Sequence, residues 1–134
     1  MTAAMKDANL RPDDVGYVNA HGTSTPMNDA SETRGIRRAL GTAAEKVTVT
    51  STKSMIGHLV AACGGVEAVV SLCTLRDGVV HATRNLTPPD PDCDLDYVPD
   101  GPRTVDGGIG IALSNSFGFG GCNATLAFGA EGWR

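Results

Sequence analysis

The chain has 134 residues, of which 41% are hydrophobic and 19% charged, and a formal net charge of −4. That is enough chain for one domain with a buried core, too little charge for disorder, and no broad basic footprint for nucleic acid. No apolar run reaches bilayer-spanning length and the N-terminal MTAAMKDANL lacks a signal-peptide core, so a cytoplasmic protein without a membrane partner is expected.

In chain order, Thr2 to Asn9 reads as the end of a helix, followed by a turn at Leu10-Arg-Pro-Asp-Asp. Val15 to Ala20 is short, apolar and β-branched, the pattern of a buried strand. His21 to Asn28 is a polar loop. Asn28 or Asp29 is placed to cap the next helix, with Glu32 where a capping box would put it. That helix is expected to stop at Gly41. Val47 to Thr50 is a second strand, and a loop with Lys53 and His58 follows. Leu59 to Leu75 is apolar almost all round, which predicts a buried helix, closed by Asp77-Gly78. His81 to Arg103 is rich in proline and aspartate and is expected to be irregular. Ile109 to Leu113 and Ala124 to Phe128 are the last strands, with Asn115 to Asn123 as a tight connection. Strands alternating with helices, then two adjacent strands, argue for an α/β layer with a mixed sheet.

Three segments carry the residue types that do chemistry: Asn19-Ala-His-Gly-Thr-Ser-Thr25, Ser51-Thr-Lys-Ser-Met-Ile-Gly-His58 and Ser114-Asn-Ser-Phe-Gly-Phe-Gly-Gly121. Each follows or ends an expected strand, and open α/β sheets gather functional residues beyond the carboxyl ends of their strands. His21 or His58 alone reads as structural, but their joint placement after consecutive strands raises the functional reading. His81 has no such setting and reads as a surface or structural residue. Lys53 is either a solvated lysine or a fixed cation organising a polar network. The glycines at 118, 120 and 121 fit neither a phosphate-binding nor a dinucleotide pattern and read as a tight turn. The four cysteines, Cys63, Cys73, Cys93 and Cys122, form no CxxC pair and stand at no zinc-finger spacing to a histidine, so reduced thiols and no catalytic metal are expected.

Taken together, NAHGTST, STKSMIGH and NSFGFGG resemble the signatures of the condensing-enzyme family, the elongating β-ketoacyl-acyl-carrier-protein synthases of fatty acid and polyketide synthesis. The likeness runs from about Ala4 to Phe128 and includes CDLDYVP at Cys93 to Pro99. It implies a thiolase-like α/β half, a mixed five-stranded sheet packed against helices, with residues 1–134 as a C-terminal domain and the nucleophile-bearing N-terminal half as its partner. It implies an acyltransferase that condenses malonyl-carrier protein with an acyl-enzyme thioester, a homodimer in the full-length family, and no cofactor beyond the phosphopantetheine carried by acyl carrier protein. By the same resemblance His21 and His58 support decarboxylation, Lys53 orders their network, Phe117 gates the nucleophile, and Thr23 and Thr25 contact the phosphopantetheine arm. Asn19, Glu67, Ser114 and Asn115 resemble a structural network that in some relatives holds a monovalent cation.

Two cysteines depart from the family pattern. Cys63 stands where relatives often have alanine and Cys122 where they have threonine, and both read as small packing residues. No segment resembles the nucleophile motif, so the chain alone is expected to be inactive. The other readings are a polyketide ketosynthase fragment and a non-catalytic partner of the chain-length-factor kind. Such partners tend to lose the catalytic residues that this chain retains.

Overall fold

The computed structural model describes residues 1–88 and 90–133. The elements are α1 (Thr2–Asp7), β1 (Val15–Asn19), α2 (Asn28–Leu40), β2 (Thr48–Thr50), α3 (Lys53–Ile56), α4 (Cys63–Asp77), β3 (Val79–Val80), β4 (Arg103–Thr104), β5 (Ile111–Phe117) and β6 (Asn123–Gly129). The main sheet has the order β2-β1-β5-β6. β1 runs parallel to both β2 and β5, and β6 returns antiparallel to β5.

Both faces of the sheet are covered, which is why β1 reads as a continuous apolar run rather than an alternating one. One face places Val18, Val49, Ile111 and Leu113 against Ile36 and Leu40 of α2 and Met5 of α1. The other places Tyr17 and Ala112 with Leu75 of α4, Val80 and Val98. Helix α4 ends at Gly78, whose left-handed backbone (φ 65°) no other residue adopts so readily.

The mixed α/β architecture matches expectation, but the main sheet has four strands rather than five. Where a fifth would extend the β2 edge, only one bridge forms among the described residues, Thr48 to Asp96, with the Val49 amide donating to the Asp96 carbonyl at 2.9 Å. The segment cannot pair further because Val98 turns to φ 52° and Pro99 has no N–H. β3 and β4 form a separate two-stranded ribbon at the two ends of the irregular excursion.

Five local expectations are corrected. Lys53 does not lie in a loop but opens the single turn α3. Helix α4 begins at Cys63, because Val60–Ala62 form a separate 3-10 turn. Its apolar pattern does not bury it on every side: Val69 and Leu72 are 60% and 48% exposed. The capping box at α2 does not form. The helix starts after Met27, the Asn28 amide is met by Thr25 Oγ1, and Glu32 lies two residues past the position that could cap. β5 also runs on to Phe117, which shortens the connection to β6 to residues 118–122.

Candidate active site

Because β1, β2 and β5 are parallel, their carboxyl ends meet at one edge of the sheet. The chain leaves β1 into His21, leaves β2 into Lys53 and His58, and ends β5 at Phe117. The rings of His21 and His58 meet edge to face, centroids 5.7 Å apart at 86°, and His21 lies 5.7 Å from the Phe117 ring. Residues separated by up to 96 positions in sequence thus form one cluster.

His21 is held from behind by Glu32. One oxygen of this buried carboxylate accepts the His21 amide at 2.9 Å and the Asn115 side-chain amide at 3.0 Å. The other accepts the Gly22 amide at 2.9 Å. Burial pushes the Glu32 carboxyl above its usual value, against the lowering effect of these donors. Gly22 is required at the bend: its φ is +41°, and a Cβ there would sit 2.5 Å from Cβ of Ser51. Burial, then the charges of Lys53 and His58, push the His21 imidazole down to about 4, so it is neutral at neutral pH.

Lys53 is not a solvated surface residue. It is 8% exposed and its ammonium pairs with Glu67 of α4, itself 1% exposed. Asn19 links β1 to this pair: its amide N–H donates to Thr52 Oγ1 at 2.8 Å, and its oxygen accepts the Thr52 amide at 3.2 Å. The charge therefore sits fixed behind the histidines.

His58 itself is exposed. Its Nδ1 receives the Val60 amide N–H at 3.0 Å. A backbone N–H can only donate, so a neutral His58 carries its proton on Nε2. That N–H is free to donate outward.

A cavity of about 620 Å³ opens beside the cluster, lined by Thr23, Thr25, Lys53, His58, Thr83 and Arg84 among others. Thr23 and Thr25 face each other across 3.1 Å. His81 takes no part in the site: its ring bonds to Thr50 Oγ1 and the Ala82 carbonyl, a structural role.

Of the four residues read as a cation network, Ser114 is buried in β5 and the other three divide into two groups. Asn19 and Glu67 belong to the Lys53 pair, while Asn115 bonds Glu32 through its nitrogen and accepts Thr125 Oγ1 at its oxygen. Both amide oxygens already accept donors, and the ammonium of Lys53 supplies the positive charge at Glu67. Glu67 Oε2 is buried without a hydrogen-bond partner among the described residues, and no chemistry is routed through a cation. Glu32 was legible only as a helix cap. Besides the nearby Asn28 side chain, its partners are backbone amides 10 and 11 residues away and Asn115, 83 residues away, which no local pattern announces.

Among the described residues no helix is long and apolar enough to cross a membrane. Residues 1–87 match the family described as beta-ketoacyl synthase, C-terminal domain. The chain is 55% identical over 125 residues to 3-oxoacyl-[acyl-carrier-protein] synthase 2 of Synechocystis sp., covering 93% of this chain and 30% of that protein. It is 51% identical over 128 residues to the enzyme of the same name from Staphylococcus aureus, covering 96% of this chain and 30% of that protein. Among solved structures it resembles a type II polyketide ketosynthase in complex with its acyl-carrier protein and bound to the hexaketide. There the TM-score is 0.90 at 40% identity, over 96% of this chain and 31% of that one. A beta-ketoacyl synthase from Burkholderia phymatum matches with TM-score 0.87 at 38% identity, over 95% of this chain and 30% of that one. The chain spans under a third of the length of these relatives, and it belongs to the β-ketoacyl synthase family, which it matches through that family's C-terminal domain.

Proposed function

We propose that this chain supplies the histidine half of a 3-oxoacyl-[acyl-carrier-protein] synthase of fatty acid elongation. In this reading the malonyl thioester of acyl carrier protein enters through the cavity, with Thr23 and Thr25 along its phosphopantetheine arm. The carboxylate leaves as carbon dioxide, and the bonding pair passes into an enolate whose charge falls on the thioester oxygen. The Nε2–H of His58 and the single N–H of neutral His21 are donors set in place before that charge develops, which is where electrostatic catalysis is strongest. The enolate carbon then attacks an acyl thioester held on a cysteine, and the cysteine thiolate leaves. That cysteine belongs to the part of the synthase that this chain does not span.

The observation that carries the reading is the pairing of a neutral His21 with a His58 whose Nδ1 is already occupied. The exposed apolar residues Leu59, Val60, Val69, Leu72 and Phe119 support it from another side, since they offer a joining surface for the other half. The retention of His21, Lys53, His58 and Phe117 together favours catalysis over a chain-length-factor role.

The test is release of carbon dioxide from malonyl-carrier protein by the chain alone, and again after it is joined to the first part of the Synechocystis relative. Activity only in the joined protein is expected. Robust condensation by the chain alone, or none by a well-folded joined protein, overturns the reading.

A further inference from the structure

Cys63 is the first residue of α4, and its buried side chain meets His58. Its Sγ lies 3.2 Å from His58 Nδ1 and accepts the Leu59 amide N–H at 3.1 Å. The Val60 amide already donates to the same Nδ1, so that nitrogen carries a lone pair and no proton when the ring is neutral. The thiol can therefore meet Nδ1 in one way only, as an S–H donor, with its own lone pair turned to Leu59. A relay results: Leu59 N–H to Sγ, S–H to Nδ1, and Val60 N–H to the same Nδ1.

We propose that Cys63 is a positioning residue for His58: its thiol and the Val60 amide together hold the imidazole as the Nε2–H tautomer and fix the plane in which that N–H points. This differs from the packing role that residue size alone suggests, because alanine would pack at the position and donate nothing. The inference rests on His58 being an oxyanion donor only for its consequence in catalysis; the hydrogen bonds stand apart from any reaction. The loop holding the ring has little else to fix it. Leu59 and Val60 are 40% and 79% exposed, and Val60 adopts φ 53°, a left-handed backbone that a β-branched residue resists. A strained, exposed turn keeps its shape through its hydrogen bonds, and Cys63 takes part in two of them.

The experiment is a long-range ¹H–¹⁵N spectrum of the neutral His58 ring in the chain, in Cys63→Ala and in Cys63→Ser. The unaltered chain is expected to show Nε2–H almost alone. Cys63→Ala should raise the Nδ1–H population about threefold, the size of one weak hydrogen bond. Cys63→Ser, which restores a donor of similar reach, should return it toward the original value. Equal tautomer ratios in all three proteins overturn the proposal, as does a serine variant indistinguishable from alanine. This readout needs no substrate. Failure of the joined protein to decarboxylate malonyl-carrier protein therefore counts against the function alone, and loss of the tautomer effect against the positioning role alone.

Discussion

The amide of Val60 donates to Nδ1 of His58 at 3.0 Å from a valine whose backbone is turned to φ 53°. The left-handed region costs an L-residue about 1–2 kcal/mol, more for a β-branched one, and glycine recovers that at about 0.5–1 kcal/mol of chain entropy. Val60→Gly is therefore expected to leave stability unchanged or raise it by up to about 1 kcal/mol in urea denaturation. Val60→Pro, which removes the N–H, should release the His58 ring and abolish decarboxylation by a joined synthase. A Val60→Pro protein with full activity would show that this amide does not set the tautomer.

The buried pair of Lys53 and Glu67 makes a second prediction, with two readouts. Truncating one member leaves the other charge unpaired, at a cost of about 3–5 kcal/mol. Lys53→Met should lose that much, and Lys53→Met with Glu67→Gln should regain most of it. Both proteins lack the ammonium that, after burial, lowers the His21 pKa. In NMR titration the His21 pKa should climb from about 4 toward 6.5 in each. An unmoved His21 in the double variant would mean that burial alone neutralises the ring.

His21 also links folding to pH. The unfolded imidazole protonates near 6.5, and the folded one resists to about 4. Between those values the unfolded state binds more protons, so this contribution to stability is full above 6.5 and is lost as the pH falls toward 4. Urea midpoints at pH 7, 5.5 and 4.5 should fall more steeply for the unaltered chain than for His21→Gln. Parallel slopes would place the His21 pKa near its ordinary value.

The clustering of His21, Lys53, His58 and Phe117 was legible because chemistry-bearing residues follow strands that sequence marks well, and parallel strands bring their ends together whatever the intervening chain does. The helix ends at Gly41 and Gly78 were legible for a local reason, since glycine there follows directly from backbone sterics. What stayed hidden depends on partners distant in sequence. Glu32 looks like a cap because a capping box after Asn28 or Asp29 is a local pattern, whereas its carboxylate serves amides on another loop. Cys63 looks like a packing residue because size is visible in sequence and the direction of a thiol is not. The buried setting of Lys53 depends on α4 returning Glu67 beneath it, 14 positions on.

A helix apolar on all sides reads as buried, and in this chain Val69 and Leu72, one turn apart, point to solvent. Val60 and Phe119, at 79% and 105% exposure, add to the apolar surface. Single exposed apolar residues are ordinary, but several together mark an interface or drive association. If the rest of the synthase covers α4, the residues of this face do two separate jobs: they make the free chain self-associate and they join it to its other half. Val69→Lys with Leu72→Glu should then render the chain monomeric by light scattering at concentrations where the unaltered chain associates, with its stability kept, since neither side chain is in the core. The same double substitution should prevent the first part of the Synechocystis relative from restoring decarboxylation when supplied as a separate chain. A monomeric variant that is still fully restored would move the joining surface away from α4, toward Phe119 and the β5–β6 turn.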